Sequence, residues 1–100
     1  MGYKYFIIRL EGANSDAMTQ NIVQEHVAWL SQLDDQGVLL ECGPCEDGTA
    51  LILLKCGSLD EAIKISNSDP FATHRAYENR TVTTFRRATK ENNYLLSCTP

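Results

Sequence analysis

Strand-like and helix-like segments follow one another along this chain in an order that few folds accommodate. Segments rich in β-branched, aromatic and other apolar residues predict strands at residues 3–10, 38–42, 50–56 and 80–87. One helix is predicted after the first strand and another after the third. The order βαββαβ predicts an α+β, ferredoxin-like fold, in which a four-stranded antiparallel sheet carries both helices on one face. With 100 residues, 43% of them apolar, the chain suffices for one such domain with one core.

The first helix is predicted from an apolar stripe and from signals at its two ends. Ser15 or Asp16 is expected to cap its N-terminus. Gly37 suits the position just after its C-terminus, where the backbone often turns left-handed. The stripe consists of apolar residues at helical spacing: Met18, Ile22, Val23, Val27, Leu30 and Leu33.

The second helix is predicted from a capping box at residues 58–61, Ser-Leu-Asp-Glu, in which the serine caps and the glutamate reaches back. Pro70 is expected to end it, because the residue before a proline disfavours the helical conformation. One further helical turn is expected over residues 71–77. The domain is predicted to span residues 1–88, with the polar residues 89–100 forming a C-terminal tail.

Two of the predicted strands are apolar on both faces. Phe6 and Ile8 alternate with Tyr5 and Ile7 in the first strand, and residues 50–54 form a continuous apolar run. A strand with one face in water would alternate apolar with polar residues, and two helices cover only one face of a sheet. Because a bare apolar face would exceed the patch that monomers tolerate, we expect a homodimer, a dimeric α+β barrel formed through the sheets.

Charge and hydropathy exclude several classes of partner. The net charge is −4, and the basic residues are scattered except for Arg86-Arg87, so the basic patch of a nucleic-acid-binding protein is missing. No apolar run approaches the roughly 18 residues of a membrane span. The N-terminal residues do not resemble a secretory signal peptide. We therefore expect a cytoplasmic protein that binds neither nucleic acid nor membrane.

Residues 42–45 read Cys-Gly-Pro-Cys, the spacing found in thiol–disulfide oxidoreductases. Redox chemistry requires a helix to begin at this motif, because the helix N-terminus stabilises the thiolate. Strand-like segments flank it instead, so it is predicted to form a loop between two strands, and the adjacent Glu46 and Asp47 would raise a thiol pKa. Structural zinc usually takes two close cysteine pairs, whereas Cys56 and Cys98 stand alone, so no metal site is predicted. A redox role is the least favoured hypothesis.

His26 and Asp69 are the residues where proton-transfer chemistry is most plausible. His26 lies on the stripe of the first helix, and Asp69 lies at the end of the second; in this fold the two can meet. A carboxylate beside an imidazole fixes its tautomer and makes it a better general base. Each also has a purely structural interpretation, His26 as a hydrogen-bonded core histidine and Asp69 as an N-cap before Pro70.

Four further residues are candidates for binding a substrate. Gly43 and Pro44 would form a stiff loop that lets a ligand approach the backbone closely. Arg9 could bind an anionic group, although a surface charge at a strand end is equally ordinary. Trp29 lies three residues from His26 and could wall the same pocket, or simply pack.

Short motifs occur in a fairly specific order and spacing over residues 5–85. They are His26 with Leu30 and Leu33, Gly37, Gly43-Pro44, the capping box, Asp69-Pro70-Phe71, Tyr77-Glu78, and Val82 before Phe85. Together they resemble the YciI-like family, also called YCII or DGPF-related. One departure is the short loop after Gly43-Pro44, which carries Cys45 where family members often have a longer loop.

The resemblance implies a ferredoxin-like fold dimerised through the sheets and an active site centred on His26 and Asp69. It also implies that Gly43, Pro44, Pro70 and Phe71 shape the pocket. One relative is similar to a lyase that removes HCl from a chlorinated hydroxyquinol. We therefore expect a lyase or isomerase acting on a small molecule by His–Asp proton transfer. The alternative is a non-catalytic metabolite-binding or assembly module. No organic cofactor is expected, since no phosphate-cradling glycine loop occurs.

Overall fold

The computed structural model describes residues 4–96 and has the predicted α+β architecture. Its strands and helices are, in chain order, β1 (Lys4–Ala13), α1 (Gln20–Asp35), β2 (Leu39–Pro44), β3 (Ala50–Cys56), α2 (Leu59–Asn67), α3 (Pro70–Thr73) and β4 (Tyr77–Phe85). Short 3₁₀ turns occur at Ser15–Ala17 and Asn93–Leu95. The strands form one antiparallel sheet in the order β2-β3-β1-β4, which confirms the predicted ferredoxin-like topology. Within the described residues, no helix is long and apolar enough to cross a membrane.

The core lies between the helices and one face of the sheet. Alternate residues of the two central strands point into it and are almost wholly buried, including Phe6, Ile8 and Leu54. The helices contribute Leu33 of α1 and Ala62 of α2. Each large buried apolar side chain stabilises the fold by about 1.5–3 kcal/mol.

Only part of the predicted α1 stripe faces the core. Leu33 is buried and Leu30 packs against the core, whereas Val27 is 54% exposed and Val23 is 36% exposed. The inward line of α1 therefore runs through His26, Leu30 and Leu33, with Val23 at its edge, and the predicted place of Val27 on that stripe is wrong. Helical spacing admits neighbouring positions on either side of the true contact line, so it could not choose between them.

The N-terminus of α1 is later than predicted. Thr19 is its cap, with its hydroxyl accepting a hydrogen bond from the Ile22 backbone N–H at 3.3 Å. Ser15 and Asp16 instead form a separate 3₁₀ turn, closed by the Met18 N–H donating to the Ser15 carbonyl at 3.1 Å. The prediction that Ser15 or Asp16 caps this helix is wrong because Met18 adopts a non-helical backbone conformation between the two segments.

The C-terminus of α1 is closed as predicted by Gly37, whose φ is +75°. The Gly37 N–H donates to the Asp34 carbonyl at 3.0 Å, and the Val38 N–H donates to the Leu33 carbonyl at 2.9 Å. This pair of bonds is a Schellman motif, which satisfies carbonyls that the ending helix leaves unpaired. The left-handed conformation explains why glycine stands here.

The N-terminus of α2 differs in one detail from the predicted capping box. Ser58 caps α2 by accepting from the Glu61 N–H at 3.1 Å. The Glu61 side chain accepts from the Gly57 N–H at 2.9 Å, one residue before the position expected in a capping box.

The helical turn predicted over residues 71–77 is shorter, Pro70–Thr73, and β4 spans Tyr77–Phe85 rather than residues 80–87. Hydrogen bonding to the extended β1, in which Ala13 pairs with Tyr77, accounts for the earlier start.

The second face of the sheet carries apolar side chains that the helices do not cover. Tyr5, Ile7, Leu51, Leu53 and Phe85 are half-buried there. Ile7 pairs with Leu53 across β1 and β3, and Tyr5 pairs with Phe85 across β1 and β4. This open face is the surface on which a second copy is predicted to pack, and dimerisation stays a prediction.

Candidate functional site

His26 lies midway along α1 and points between the helices and the sheet. Its side chain is 13% exposed, and its Nδ1 is 2.7 Å from Oδ1 of Asp69. The ring stacks on Phe71, with centroids 3.8 Å apart and planes inclined by 6°. Trp29, one turn further along α1, is 5.7 Å away between centroids. The imidazole is therefore held by one polar contact and by aromatic rings.

Asp69 has the fully buried carboxylate of the site and caps α3. Its Oδ1 accepts from the Phe71 backbone N–H at 2.9 Å as well as from His26, and Pro70 occupies the first position of α3. Its Oδ2 accepts from Nη2 of Arg80 at 2.8 Å. The structural interpretation of Asp69 as a cap and its pairing with His26 thus hold together, because one oxygen serves both.

The protonation of Asp69 decides the tautomer of His26. Burial raises the pKa of the Asp69 carboxyl, but hydrogen bonds from His26, from the Phe71 N–H and from Arg80 outweigh burial and lower the pKa below its ordinary value. An ionised carboxylate only accepts hydrogen bonds, so Nδ1 of His26 must be the donor. In the neutral ring, Nε2 then carries the lone pair and is the nitrogen able to accept a proton.

Arg80 is the residue of the charged cluster that sequence reasoning missed. Besides Asp69, it donates from Nη1 to the Ser66 carbonyl at 3.2 Å and to the Ser66 hydroxyl at 3.1 Å, and its side chain is 14% exposed. Its strand position pairs with the buried Leu10, so it faces the core side of the sheet. A signal was present: Arg80 lies two residues before Val82, on the inward face of the predicted strand, and a charge there requires a counterion.

An open cavity of about 390 Å³ adjoins the His26 ring. It lies between α1, the end of β2, the start of β3 and α3. Most of its lining is apolar, and the polar side chains that line it are those of His26, Cys42 and Tyr77. The complete lining is Leu10, Val23, His26, Leu30, Cys42, Gly43, Pro44, Ala50, Leu51, Ile52, Phe71 and Tyr77.

Three of the six predicted binding residues line this cavity. Gly43, Pro44 and Phe71 line it. Trp29 supports the His26 ring from outside the cavity and donates from Nε1 to the Ser68 hydroxyl at 2.9 Å. Pro70 is the first residue of α3, next to Phe71, and does not line the cavity.

Arg9 is not brought to the cavity. It lies on the open face of the sheet, where Leu51 and Thr81 pair with it, and its side chain is 49% exposed. Its Nε contacts Oε2 of Glu11 at 3.2 Å. Within one chain, the predicted contact between Arg9 and a substrate at His26 is therefore unsupported.

The Cys-Gly-Pro-Cys motif spans the end of β2 and the first residue of a tight hairpin turn. Cys42, Gly43 and Pro44 belong to β2, so the prediction of a loop over the whole motif is wrong. The turn is closed by the Cys45 N–H donating to the Thr49 carbonyl at 2.7 Å, and no helix begins near it.

The cysteines of the described residues are separate thiols. Cys42, Cys45 and Cys56 are free thiols, and Cys98 lies outside the described residues. Burial, Asp34 and Glu41 raise the pKa of the Cys42 thiol, the opposite of what a thiol oxidoreductase requires. Over residues 4–96, no group of three or more potential metal ligands comes together.

Comparison with known proteins identifies the family of the chain. No curated protein sequence matches it. Among solved structures, it is similar to 5-chloro-2-hydroxyhydroquinone dehydrochlorinase (TftG) from Burkholderia phenoliruptrix AC1100 in complex with 2,5-dihydroxybenzoquinone. The TM-score is 0.69 at 17% identity, covering 87% of this chain and 97% of that one. At this identity the likeness shows a shared fold. The YCII-related domain matches residues 3–86, nearly the whole chain. This protein therefore belongs to the YCII-related domain family.

Proposed function

We propose that this protein is a small-molecule lyase or isomerase in which His26 is the general acid–base and Asp69 orients it. The observation that carries the proposal is the 2.7 Å contact between His26 Nδ1 and the buried Asp69 carboxylate, beside an apolar cavity. The cavity is within the size range of sites that bind small molecules. Asp69 and Arg80 act through His26 and are positioning residues.

The charges of the cluster favour a substrate that becomes negative during the reaction. With neutral His26, the Asp69 and Arg80 charges cancel, so the cluster is neutral. When Nε2 takes a proton from the substrate, the imidazolium is stabilised by Asp69 and the cluster becomes +1. A positive charge formed beside the substrate stabilises an anionic intermediate, such as an enolate or phenolate. Returning the proton to another atom of the substrate completes an isomerisation, and loss of a leaving group completes an elimination.

The structural likeness supports the elimination branch. The similar protein is named a dehydrochlorinase, and loss of HCl requires a base to remove a proton while chloride departs with the bonding electrons. We propose that His26 Nε2 supplies that base, and the step needs no cofactor. A small aromatic or anionic compound is the substrate class that this chemistry and cavity favour.

We also propose that the active form is a homodimer joined through the open face of the sheet. The support is the apolar centre of that face, where Ile7 and Leu53 pair. Leu53→Glu would place a charge there, and sedimentation velocity is expected to detect monomers. Val27→Glu, on the exposed outer side of α1, is the matched control and should leave the dimer intact. A Leu53→Glu protein that sediments like the wild type would contradict this assembly.

The alternative is a non-catalytic binding or assembly module with the same fold. The observation in its favour is that Asp69 already has a structural role as the cap of α3, and His26 is fully accommodated by Asp69 and Phe71. Such contacts would be needed for stability even without a reaction.

The two functions are separated by chloride release from 5-chloro-2-hydroxyhydroquinone, together with binding of 2,5-dihydroxybenzoquinone. We expect the wild type to release chloride and His26→Gln to be slower by about 10²–10⁴-fold, the usual contribution of a general acid–base. His74→Gln, at a histidine that is 46% exposed and does not line the cavity, is the matched control. Binding that depends on His26 without chloride release would favour the binding module.

The His–Asp pair is tested without any substrate by ¹⁵N NMR of the histidine rings. The wild type is expected to carry hydrogen on Nδ1 of His26, and Asp69→Asn is expected to give a mixture of tautomers. His74 serves as the internal reference. A His26 ring already protonated mainly on Nε2 in the wild type would refute the proposed role of Nε2 as the base.

A further inference from the structure

Tyr77 is a polar residue of the cavity to which the reaction above assigns no role. It opens β4 and pairs with Ala13 of β1. Its ring is 6.0 Å from that of Phe71 and inclined to it by 57°. Tyr77 also forms the wall between the His26 cavity and a neighbouring polar groove of about 510 Å³, since it lines both.

The Tyr77 hydroxyl has no protein partner within the described residues, unlike the groups that join His26, Asp69 and Arg80. His26 Nδ1, both Asp69 oxygens and the Arg80 guanidinium are hydrogen-bonded within the cluster. Across residues 4–96, no hydrogen bond to the Tyr77 hydroxyl occurs, although the residue is half-buried. No buried side-chain nitrogen or oxygen of the described residues lacks a partner, so this hydroxyl is reached by solvent and is free to bond a ligand.

The hydroxyl is available as a donor at neutral pH. Burial raises the pKa of Tyr77, and the Asp69 carboxylate raises it further, with Arg80 acting in the opposite direction. The group therefore keeps its proton and can donate a hydrogen bond. The polar side chains that line the cavity are those of His26, Cys42 and Tyr77. Among these three, Tyr77 is the strongest hydrogen-bond donor for an oxygen atom of a ligand.

We propose that Tyr77 binds an oxygen atom of the substrate by donating a hydrogen bond from its hydroxyl, and so orients the substrate toward Nε2 of His26. The inference rests on the proposed function, because it takes the His26 cavity as the substrate site. It narrows the substrate class to small molecules with a hydroxyl, carbonyl or phenolate oxygen. As His26 removes a proton, negative charge that moves onto this oxygen would strengthen the bond from Tyr77.

The test compares two fluorinated rings that differ by an oxygen, 4-fluorophenol and 4-fluorotoluene, bound to the wild type and to Tyr77→Phe. Binding is measured by ¹⁹F NMR of the ligand, and occupancy of the cavity by the His26 ring signals in ¹⁵N-labelled protein. Tyr77→Phe keeps the ring that contacts Phe71 and removes only the hydroxyl. We expect it to weaken 4-fluorophenol about fivefold to tenfold, the factor for one hydrogen bond. Binding of 4-fluorotoluene should change by less than about twofold, because this ligand offers no acceptor.

Each outcome has one meaning. Selective loss of 4-fluorophenol binding supports the assignment, since a merely structural role of Tyr77 would weaken both ligands alike. If both ligands perturb His26 and Tyr77→Phe changes neither affinity, or both equally, the role of Tyr77 is refuted and the proposed function stands. If neither ligand perturbs the His26 signals, the cavity is not the site for such molecules, and the proposed function falls with the inference.

Discussion

Asp69→Asn is the substitution that most directly tests the charged cluster. It keeps the size of the side chain and leaves one oxygen able to accept from the Phe71 N–H, so the cap of α3 can persist. It removes the negative charge that faces Arg80 and turns one of the two acceptors into a donor. Either His26 or Arg80, which both donate to Asp69, then loses its acceptor.

The expected effect follows from the burial of both charges. The Asp69 side chain is 0% exposed and that of Arg80 is 14% exposed, so little solvent replaces the lost partner. Breaking a buried ion pair by removing one charge destabilises a protein by about 3–5 kcal/mol. Arg80 keeps its bonds to Ser66, so we expect the lower end, about 3 kcal/mol. For a domain of this size, that lowers the melting temperature by about 12–24 °C.

A double-mutant cycle with Arg80→Gln, followed by urea unfolding at one fixed protein concentration, measures the coupling. Fixing the concentration matters because a dimer gains stability by mass action. We expect the double variant to be less destabilised than the sum of the single variants, with a coupling energy of about 1–3 kcal/mol. A coupling energy below about 0.5 kcal/mol would show that the two charges do not depend on each other and would refute the reasoning.

Three further predictions concern the pH dependence of stability, the Cys42 thiol and the C-terminus of α1. Because the pKa of Asp69 is depressed in the folded protein, its stabilising effect is present above the unfolded value of about 3.9 and is lost as pH falls through the folded value. In urea titrations, the difference in unfolding free energy between the wild type and Asp69→Asn should therefore shrink as the pH falls below about 4. A difference that stays constant would contradict this. Since the pKa of the Cys42 thiol is raised, iodoacetamide followed by peptide mass spectrometry should label it more slowly than free cysteine at neutral pH; rapid labelling would revive the redox hypothesis. Gly37→Ala meets no atom within 4 Å, so its cost is the left-handed backbone alone, about 1–2 kcal/mol by urea unfolding. An unchanged stability would mean that the turn rearranges.

Sequence periodicity was sufficient for the topology and for the meeting of His26 and Asp69. These residues are 43 positions apart, yet the fold alone determines that the middle of α1 lies near the end of α2. The apolar runs of β1 and β3 likewise identified the central strands and the open face. In each case the signal is a repeated pattern, to which many residues contribute.

What could not be predicted depends on single long-range contacts. β4 begins at Tyr77 because it pairs with the extension of β1 to Ala13. The polar residues Glu78 and Asn79, which precede the predicted start of the strand at residue 80, resemble a turn in the sequence. The inward position of Arg80 could be inferred from Val82, but its counterion Asp69 comes from another element, and no local pattern reports that pairing. Arg9 was misplaced for the opposite reason: its residue type suits anion binding, but its strand register directs it to the other face.

The double use of Asp69, as the cap of α3 and the acceptor for His26, limits how this site can diverge. Changing that carboxylate alters the entry into a helix and the imidazole at once, so variants there are selected against for folding before any new activity can emerge. Val23 and Leu30 line the same cavity without belonging to the cap or the ion pair. New substrate preferences in such a protein should therefore accumulate at these wall positions while the proton-handling groups stay constant, and a mutagenesis library for altered specificity would best begin there.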